Sequence, residues 1–198
     1  MSSDDQLTNR LEELQELNRL FLAYLQARAR EGQPCLGLPR RVVACLRDAK
    51  PDTLDQIAEL PAALFRLQLD PVTELPELVE PPSSALARMQ LALVLTILNN
   101  ARYLARTRPF EARLFLHLSV NELRRLRALP LERLAAMGGA RGVLRCAFAD
   151  TQLTWNALLR PTASDAARML ILIALQPEVG LPRSSLHGWA HRQLRATY

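Results

Sequence analysis

Hydrophobic residues recur every three or four positions over residues 6–31, which is the period of one face of an amphipathic helix. A second long stretch, residues 83–106, is apolar on most sides and is typical of a helix buried in the middle of a molecule. The same reasoning predicts shorter helices over 39–48, 54–59, 120–128, 131–137 and 164–175. Residues 64–69 and 143–148 instead approach an alternating pattern, which favours short extended segments. The pattern therefore predicts an all-α fold that allows one short extended segment in each half.

Capping and turn residues define several of the predicted boundaries. Pro51 is predicted to stop one helix shortly before the next one begins. Ser119 and Glu122 have the three-residue spacing of a capping box, so a helix is expected to begin after Ser119. Gly138-Gly139 is predicted to break the helix that precedes it.

The predicted elements occur twice in the same order, about 80 residues apart. Ser84–Met89 matches Ser164–Met169, and Leu36-Gly37-Leu38 matches Leu116-His117-Leu118. Two copies of one unit in a single chain correspond to a covalent version of a two-fold dimer. We therefore expect two helical repeats that pack together as a pseudo-dimer.

The repeat also predicts the domain organisation of the chain. Residues 1–82 form the first repeat, and residues 83–106 form a long apolar helix shared between the repeats. Residues 107–176 form the second repeat. Residues 177–198 form a basic C-terminal tail without a counterpart in the first repeat.

Charge adds a candidate nucleic-acid surface. The formal net charge is +5, and Lys50 is the only lysine, so almost every base is an arginine. The predicted short-helix pairs, 39–48 with 54–59 and 120–128 with 131–137, resemble a helix-turn-helix in outline. Guanidinium groups bind phosphate through a planar fork. The candidate nucleic-acid-binding residues are Arg40, Arg41, Arg124, Arg125, Arg127, Arg133 and Arg141. A solvated arginine face, produced by GC-rich codon usage, is the alternative interpretation.

The sequence carries no motif that indicates catalysis. It has no glycine-rich phosphate loop, no HExxH motif and no nucleophile elbow. Its three cysteines form no CxxC pair, and its histidines do not complete a zinc site. We therefore expect a binding protein or regulator rather than an enzyme, with no cofactor and no metal.

The start of the chain and its apolar runs bear on its location. The polar sequence at residues 1–5 is unlike a signal peptide. The longest apolar run, Met169–Leu175, is far shorter than the roughly 20 residues that a membrane span needs. These features and the unpaired cysteines predict a cytoplasmic protein with no membrane contact.

Both copies carry short motifs that resemble the flagellar transcriptional regulator FlhD family. That family has a pattern of the kind L-G-I/L, then T-L-x-Q, then L-A, then an apolar stretch that ends in F-x-F-D. The first copy reads Leu36-Gly37-Leu38, Thr53-Leu54-Asp55-Gln56, Ile57-Ala58 and Leu67-Gln68-Leu69-Asp70. In the second copy, residues 118–122 resemble the family's L-G-I-N-E, and residues 144–148 resemble its L-V-C-H-F.

The resemblance implies a partner and a role. FlhD-like subunits are all-α and act with FlhC, a zinc-containing regulator, to recruit RNA polymerase at flagellar promoters. An FlhC-like partner, promoter DNA bound through the complex and RNA polymerase are therefore the expected partners. The chain itself is expected to be a monomeric pseudo-dimer or a higher assembly of it. The family's cysteine that can bridge two subunits falls on Cys146, which makes it a candidate for an inter-subunit disulfide.

Two functional hypotheses follow. The first is a regulator subunit that acts through protein–protein contacts in a DNA-bound activator complex, serving flagellar or related genes. The second is an interaction module that binds or sequesters another regulator and never touches DNA. Salt-dependent DNA binding distinguishes them.

Overall fold

The computed structural model describes residues 3–69, 82–140, 142–149 and 152–159. These residues are mostly helical, which confirms the all-α prediction at the level of fold class. The helices are α1 (Ser3–Arg30), α2 (Arg40–Arg47), α3 (Pro51–Ala58), α4 (Ala85–Thr107), α5 (Pro109–Leu116), α6 (Val120–Ala128), α7 (Leu131–Gly139) and α8 (Gln152–Leu158). The strands are β1 (Phe65–Leu67) and β2 (Leu144–Cys146). The helix predicted over 164–175 and the tail 177–198 lie outside the described residues.

The capping box predicted for α6 is present. Ser119 Oγ accepts a hydrogen bond from the backbone N–H of Glu122 at 3.2 Å, and the Glu122 carboxylate accepts one from the backbone N–H of Ser119 at 2.7 Å. Ser84 caps α4 in a similar way by accepting from the Ala87 N–H. Both side chains satisfy backbone donors that have no partner inside the helix. Polar residues in the sequence therefore located two helix starts correctly.

Two of the predicted boundaries are wrong. Pro51 does not stop a helix, because α3 begins at Pro51 and Lys50 is its N-cap. Proline is favoured at the first helical position, where its missing N–H would have no partner in any case. Gly138-Gly139 does not break α7, which continues to Gly139.

Gly138 instead allows two helices to approach closely. A Cβ atom added there would lie 2.5 Å from Leu95 Cδ2 and 2.8 Å from Leu95 Cγ, on α4. Such distances are shorter than any ordinary contact, so a residue without a side chain is needed where α7 crosses α4. The glycine therefore serves packing rather than chain reversal.

Helices α1 and α4 organise the core. Helix α1 contacts α2 and α3, while α4 contacts α5, α6 and α7, and α1 and α4 also contact each other. One continuous buried cluster includes apolar side chains from all of these helices and from both strands. An ion pair between Arg10 on α1 and Glu111 on α5 adds a polar link across the same contact.

Asn18 is the one buried polar side chain among the residues the structure describes, and it is fully buried. Its Nδ2 group donates to the carbonyls of Ala58, Leu60 and Ala62 at 3.1–3.3 Å, and its Oδ1 accepts from the Leu64 N–H at 3.0 Å. Buried polar groups cost free energy unless they are paired. The amide therefore holds the connection between α3 and β1 against α1.

Strands β1 and β2 form an antiparallel ribbon. Phe65 lies opposite Cys146, Arg66 opposite Arg145, and Leu67 opposite Leu144. In each strand the central arginine is exposed and its two neighbours are buried, as expected when one face of a ribbon covers a core. Each of the two predicted extended segments is thus a short strand.

Local geometry recurs at the spacing of the sequence repeat. The N-cap residues of α2 and α6 are Pro39 and Ser119, which are 80 residues apart and both extended. The N-cap residues of α3 and α7, Lys50 and Pro130, are also 80 apart and extended.

Two helices were not predicted from the sequence. Helix α5 begins with a proline directly after the C-cap of α4, and α8 is a short helix after β2. Trp155 on α8 is fully buried and donates its Nε1–H to the Ala147 carbonyl at 3.0 Å. This bond fixes α8 against the end of the ribbon.

Candidate functional site

A groove of about 620 Å³ lies beside the β1–β2 ribbon, and we call it the ribbon groove. Its volume falls within the range of small-molecule sites in proteins, roughly 300–1,000 Å³. The lining residues come from both strands, from the loop before α2, from α6 and from the segment after β2. They are Leu36, Gly37, Arg66, Leu67, Gln68, Leu69, Glu122, Arg125, Gly142, Leu144, Arg145, Cys146, Phe148 and Ala149.

Arg66 and Arg145 are the central cations of the ribbon groove. They occupy directly opposite positions on the exposed face of the ribbon. In the described part of the chain, neither guanidinium has an ion-pair or hydrogen-bond partner. Cβ atoms of opposed residues lie about 4.5–5.5 Å apart, so like charges in these positions repel each other. The arrangement favours an anion between the two side chains.

Glu122 and Arg125 form the α6 side of the groove. The Glu122 carboxylate is engaged by the backbone of Ser119 in the capping box. Arg125 Nη1 donates to the Leu69 carbonyl at 3.2 Å, which ties α6 to the residue that follows β1 by two positions. Three guanidinium groups and one carboxylate therefore line the groove, and their formal sum is positive.

His117 lies next to the ribbon groove and is neutral at pH 7. Its Nε2–H donates to the Ala63 carbonyl at 3.2 Å, and its ring meets Phe148 edge to face with centroids 5.6 Å apart. Burial lowers the pKa of His117 to about 4, the hydrogen bond to Ala63 opposes that shift, and the charge of Arg66 adds to it. The residue also has a left-handed backbone, with φ of 55°.

The predicted arginines of α6 point in different directions. Arg125 reaches the ribbon groove, whereas Arg127 Nε donates to the Ala105 carbonyl on α4. Arg106 in turn donates to the Arg127 carbonyl at 3.0 Å. Arg124 is exposed between them. Two of these side chains therefore bind backbone within the chain, and the three do not form one arginine face.

The other predicted arginines lie elsewhere on the molecule. Arg40 and Arg41 are exposed in the first turn of α2, and Arg133 is exposed on α7. Arg141 lies outside the described residues. None of Arg40, Arg41 and Arg133 lines the ribbon groove, so their role in nucleic-acid binding stays a prediction.

Cys146 is buried on the core side of β2, with 4% of its surface exposed. Its thiol approaches the Cys35 carbonyl oxygen at 3.8 Å. Burial raises the pKa of Cys146 well above its usual value, and the neighbouring Cys35 thiol adds to the effect. A disulfide from Cys146 to a second chain would require the strand to leave the core, and that bridge stays a prediction.

Sequence reasoning did not select Arg66 and Arg145, although the sequence contained a signal for them. Each is the central polar residue of an alternating apolar segment, and the two segments occupy corresponding places in the repeat. Equivalent strands of a two-fold arrangement pair with each other antiparallel when they lie next to the axis. Combining these two observations would have placed the arginines opposite each other.

Two searches of the described residues give context for this site. No group of three or more His, Cys, Asp or Glu side chains in these ranges is arranged to hold a metal ion. No described helix is long and apolar enough to cross a membrane.

No protein-family model matches the chain, and neither the curated proteins nor the solved structures contain a match to it. The resemblance to FlhD therefore depends on the short motifs and their order.

Proposed function

We propose that this protein is a regulatory subunit whose two repeats pack as a pseudo-dimer, the single-chain counterpart of an FlhD-like dimer. It acts within a DNA-bound transcription complex, chiefly through contacts with a second protein. The observation that carries the proposal is the hydrogen-bond ladder between β1 and β2, because its two outer bonds are related by exchange of the strands.

The ladder is symmetric about Arg66 and Arg145. The Gln68 N–H donates to the Val143 carbonyl, and the Ala147 N–H donates to the Leu64 carbonyl, both at 2.8 Å. Adding 79 residues converts Leu64 into Val143 and Gln68 into Ala147, so the same offset exchanges one bond for the other. A two-fold dimer built from one strand per subunit has this relationship.

Helix contacts support the same arrangement. Helix α1 packs on α2 and α3 as α4 packs on α6 and α7, while the α1–α4 and β1–β2 contacts join the two sets. The equal spacing of the N-cap residues, 80 residues in each case, agrees with this correspondence. One continuous core then buries what would otherwise be a subunit interface.

A two-fold arrangement presents similar surfaces twice, which suits a partner that is itself dimeric or a DNA site with two halves. The expected partner is an FlhC-like zinc-containing regulator that supplies most of the DNA contact, and RNA polymerase is reached through the complex. Exposed Arg40, Arg41, Arg124 and Arg133 add phosphate contacts.

One observation favours the second candidate, an interaction module that does not contact DNA. Arg125 and Arg127 donate to backbone carbonyls of their own chain. Guanidinium groups held in this way are less available to phosphates than the sequence predicted.

A promoter-DNA shift tests the proposal. The tagged chain is purified from its native lysate, and the recovered zinc protein is then expressed separately. We expect a shift only when both proteins are present, with a salt-dependent affinity. The variant Arg124→Gln should weaken the shifted complex, whereas Arg88→Gln, an exposed arginine on α4, should leave it unchanged.

Two results would contradict the proposal. A shift produced by the chain alone, with no requirement for a partner, would indicate a direct DNA-binding protein. Recovery of a different regulator, with no shift under any combination, would identify the interaction module.

A further inference from the structure

We propose that the ribbon groove binds the phosphate group of a small phosphate ester, held between the guanidinium groups of Arg66 and Arg145. The site lies at the junction of the two repeats and goes beyond the proposed regulatory function, because a bound metabolite can act on a regulator whether or not the protein contacts DNA.

Charge is the first argument. Arg66 and Arg145 project from opposed positions of an antiparallel ribbon, and no carboxylate in the described residues pairs with either of them. Placing like charges opposite each other costs free energy in the empty protein. An anion between the side chains converts that repulsion into two attractive interactions, and it explains why both positions carry arginine.

Geometry favours phosphate over a carboxylate. Each guanidinium presents several N–H donors in a planar fork. A phosphate ester has enough free oxygens to accept a bidentate pair from each fork, whereas a carboxylate has only two oxygens. The amide side chain of Gln68, two residues beyond Arg66 and on the same face of the strand, adds a neutral donor that lines the groove.

Shape favours a small ligand over a nucleic-acid duplex. The groove is walled by Leu36 and Gly37 on the side of the first repeat and by Glu122 and Arg125 on the side of the second. Its volume of about 620 Å³ is that of a small-molecule site. Apolar side chains, including Leu69 and Phe148, line the remainder and provide a surface for the body of the ester.

Isothermal titration of the full chain tests this site. The phosphate esters are ADP and glucose 6-phosphate, and the matched ligands without phosphate are adenosine and glucose. We expect saturable binding of at least one ester and no binding of its phosphate-free counterpart. The variants Arg66→Gln and Arg145→Gln should each weaken that binding about ten- to hundredfold, the range for loss of a charged hydrogen-bond pair.

Two controls make the test specific. Arg88→Gln removes an exposed arginine far from the groove lining and should leave the affinity unchanged. Thermal unfolding without ligand shows that each variant is folded, which we expect because either substitution removes a repulsive pair.

Several results would overturn the proposal. One is no saturable binding of either ester by a folded wild-type chain. Another is ester binding that survives both groove substitutions or falls equally in Arg88→Gln. A third is duplex DNA of about 20 base pairs that binds and loses affinity in the groove variants while neither ester binds, because the ribbon would then be a DNA interface.

Discussion

Arg66 and Arg145 lie directly opposite each other on the two strands that join the repeats, and each is exposed between two buried neighbours. The pair marks the centre of the ribbon, since the hydrogen bonds on either side of it mirror each other. Two like charges at the centre of a contact between repeats weaken that contact. The structure tolerates them because the apolar side chains beneath the ribbon are buried in the common core.

This repulsion predicts that removing either charge stabilises the empty protein. Arg66→Gln and Arg145→Gln should each raise the free energy of unfolding by about 0.2–1 kcal/mol at low salt. The double variant should gain little more than either single one, because one substitution already removes the repulsion. Urea unfolding at about 0.01 M and about 1 M salt measures the effect, which should disappear at high salt. An equal gain in Arg88→Gln would point to net charge instead.

Asn18 predicts a large and local loss of stability. Asn18→Ala leaves the Leu64 N–H and the carbonyls of the α3–β1 connection without their partner. An unsatisfied buried group costs about 1–3 kcal/mol, so the free energy of unfolding should fall by roughly 3 kcal/mol. The matched control is Asn99→Ala, at the equivalent place in the sequence repeat, where the residue is exposed. A similar loss in both variants would contradict this role.

Gly138 predicts a coupled pair with Leu95. Although alanine is a better helix former than glycine by about 1 kcal/mol, Gly138→Ala should destabilise the protein by about 1–3 kcal/mol because its Cβ meets Leu95. In a Leu95→Ala background the same change should become neutral or stabilising. Chemical unfolding of the four proteins in this double-mutant cycle measures the coupling, and additive effects would show that the helices do not approach as described.

His117 predicts acid sensitivity. Its folded pKa of about 4 lies below the usual 6.5, so below pH 6.5 the unfolded chain takes up a proton that the folded chain does not. Stability should therefore fall between pH 6.5 and pH 4, by up to about 3 kcal/mol, and this contribution is fully lost below pH 4.

Asparagine tolerates the left-handed backbone at this position, so His117→Asn is the appropriate comparison. The difference in unfolding free energy between the two proteins should change with pH only between about 4 and 6.5. A constant difference over that window would mean that the histidine is accessible to protons.

The cysteines predict an order of thiol reactivity. Cys45 is exposed, whereas Cys35 and Cys146 are buried and their pKa values are raised by burial. Since the thiolate is the reactive form, maleimide labelling should modify Cys45 first, and Cys45→Ser should remove the fast phase. Any disulfide-linked dimer formed on mild oxidation should likewise depend on Cys45. A dimer that persists in Cys45→Ser and disappears in Cys146→Ser would establish the bridge that the FlhD resemblance implies.

The sequence predicted the helical class, the α6 capping box and both short strands, because periodicity and capping depend on neighbouring residues. It did not predict α5, where Pro109 begins a new helix directly after α4 ends. It also misread Gly138, because the reason for that glycine is Leu95 on a different helix. Local patterns contain no information about such contacts between distant segments.

The candidate site was predicted less well for the same reason. Runs of arginine drew attention to α6, yet Arg127 is used to bind α4 within the chain. Arg66 and Arg145 are isolated in the sequence, and only strand pairing brings them together. A search for equivalent positions in the two repeats, rather than for clusters of charge, would have found them.

A cross-link at the centre of the ribbon tests most directly whether the two repeats pair within one chain. The variant Arg66→Cys/Arg145→Cys, made with the three native cysteines replaced by serine, places two thiols at opposed positions about 5.5 Å apart between Cα atoms, which suits a disulfide. A control with Gln68→Cys in place of Arg66→Cys shifts the pairing by two residues. After mild oxidation and peptide mapping, the account predicts an intrachain disulfide in the monomer, independent of protein concentration and much weaker in the control. A disulfide that forms only between chains, or no preference for the opposed pair, would contradict it.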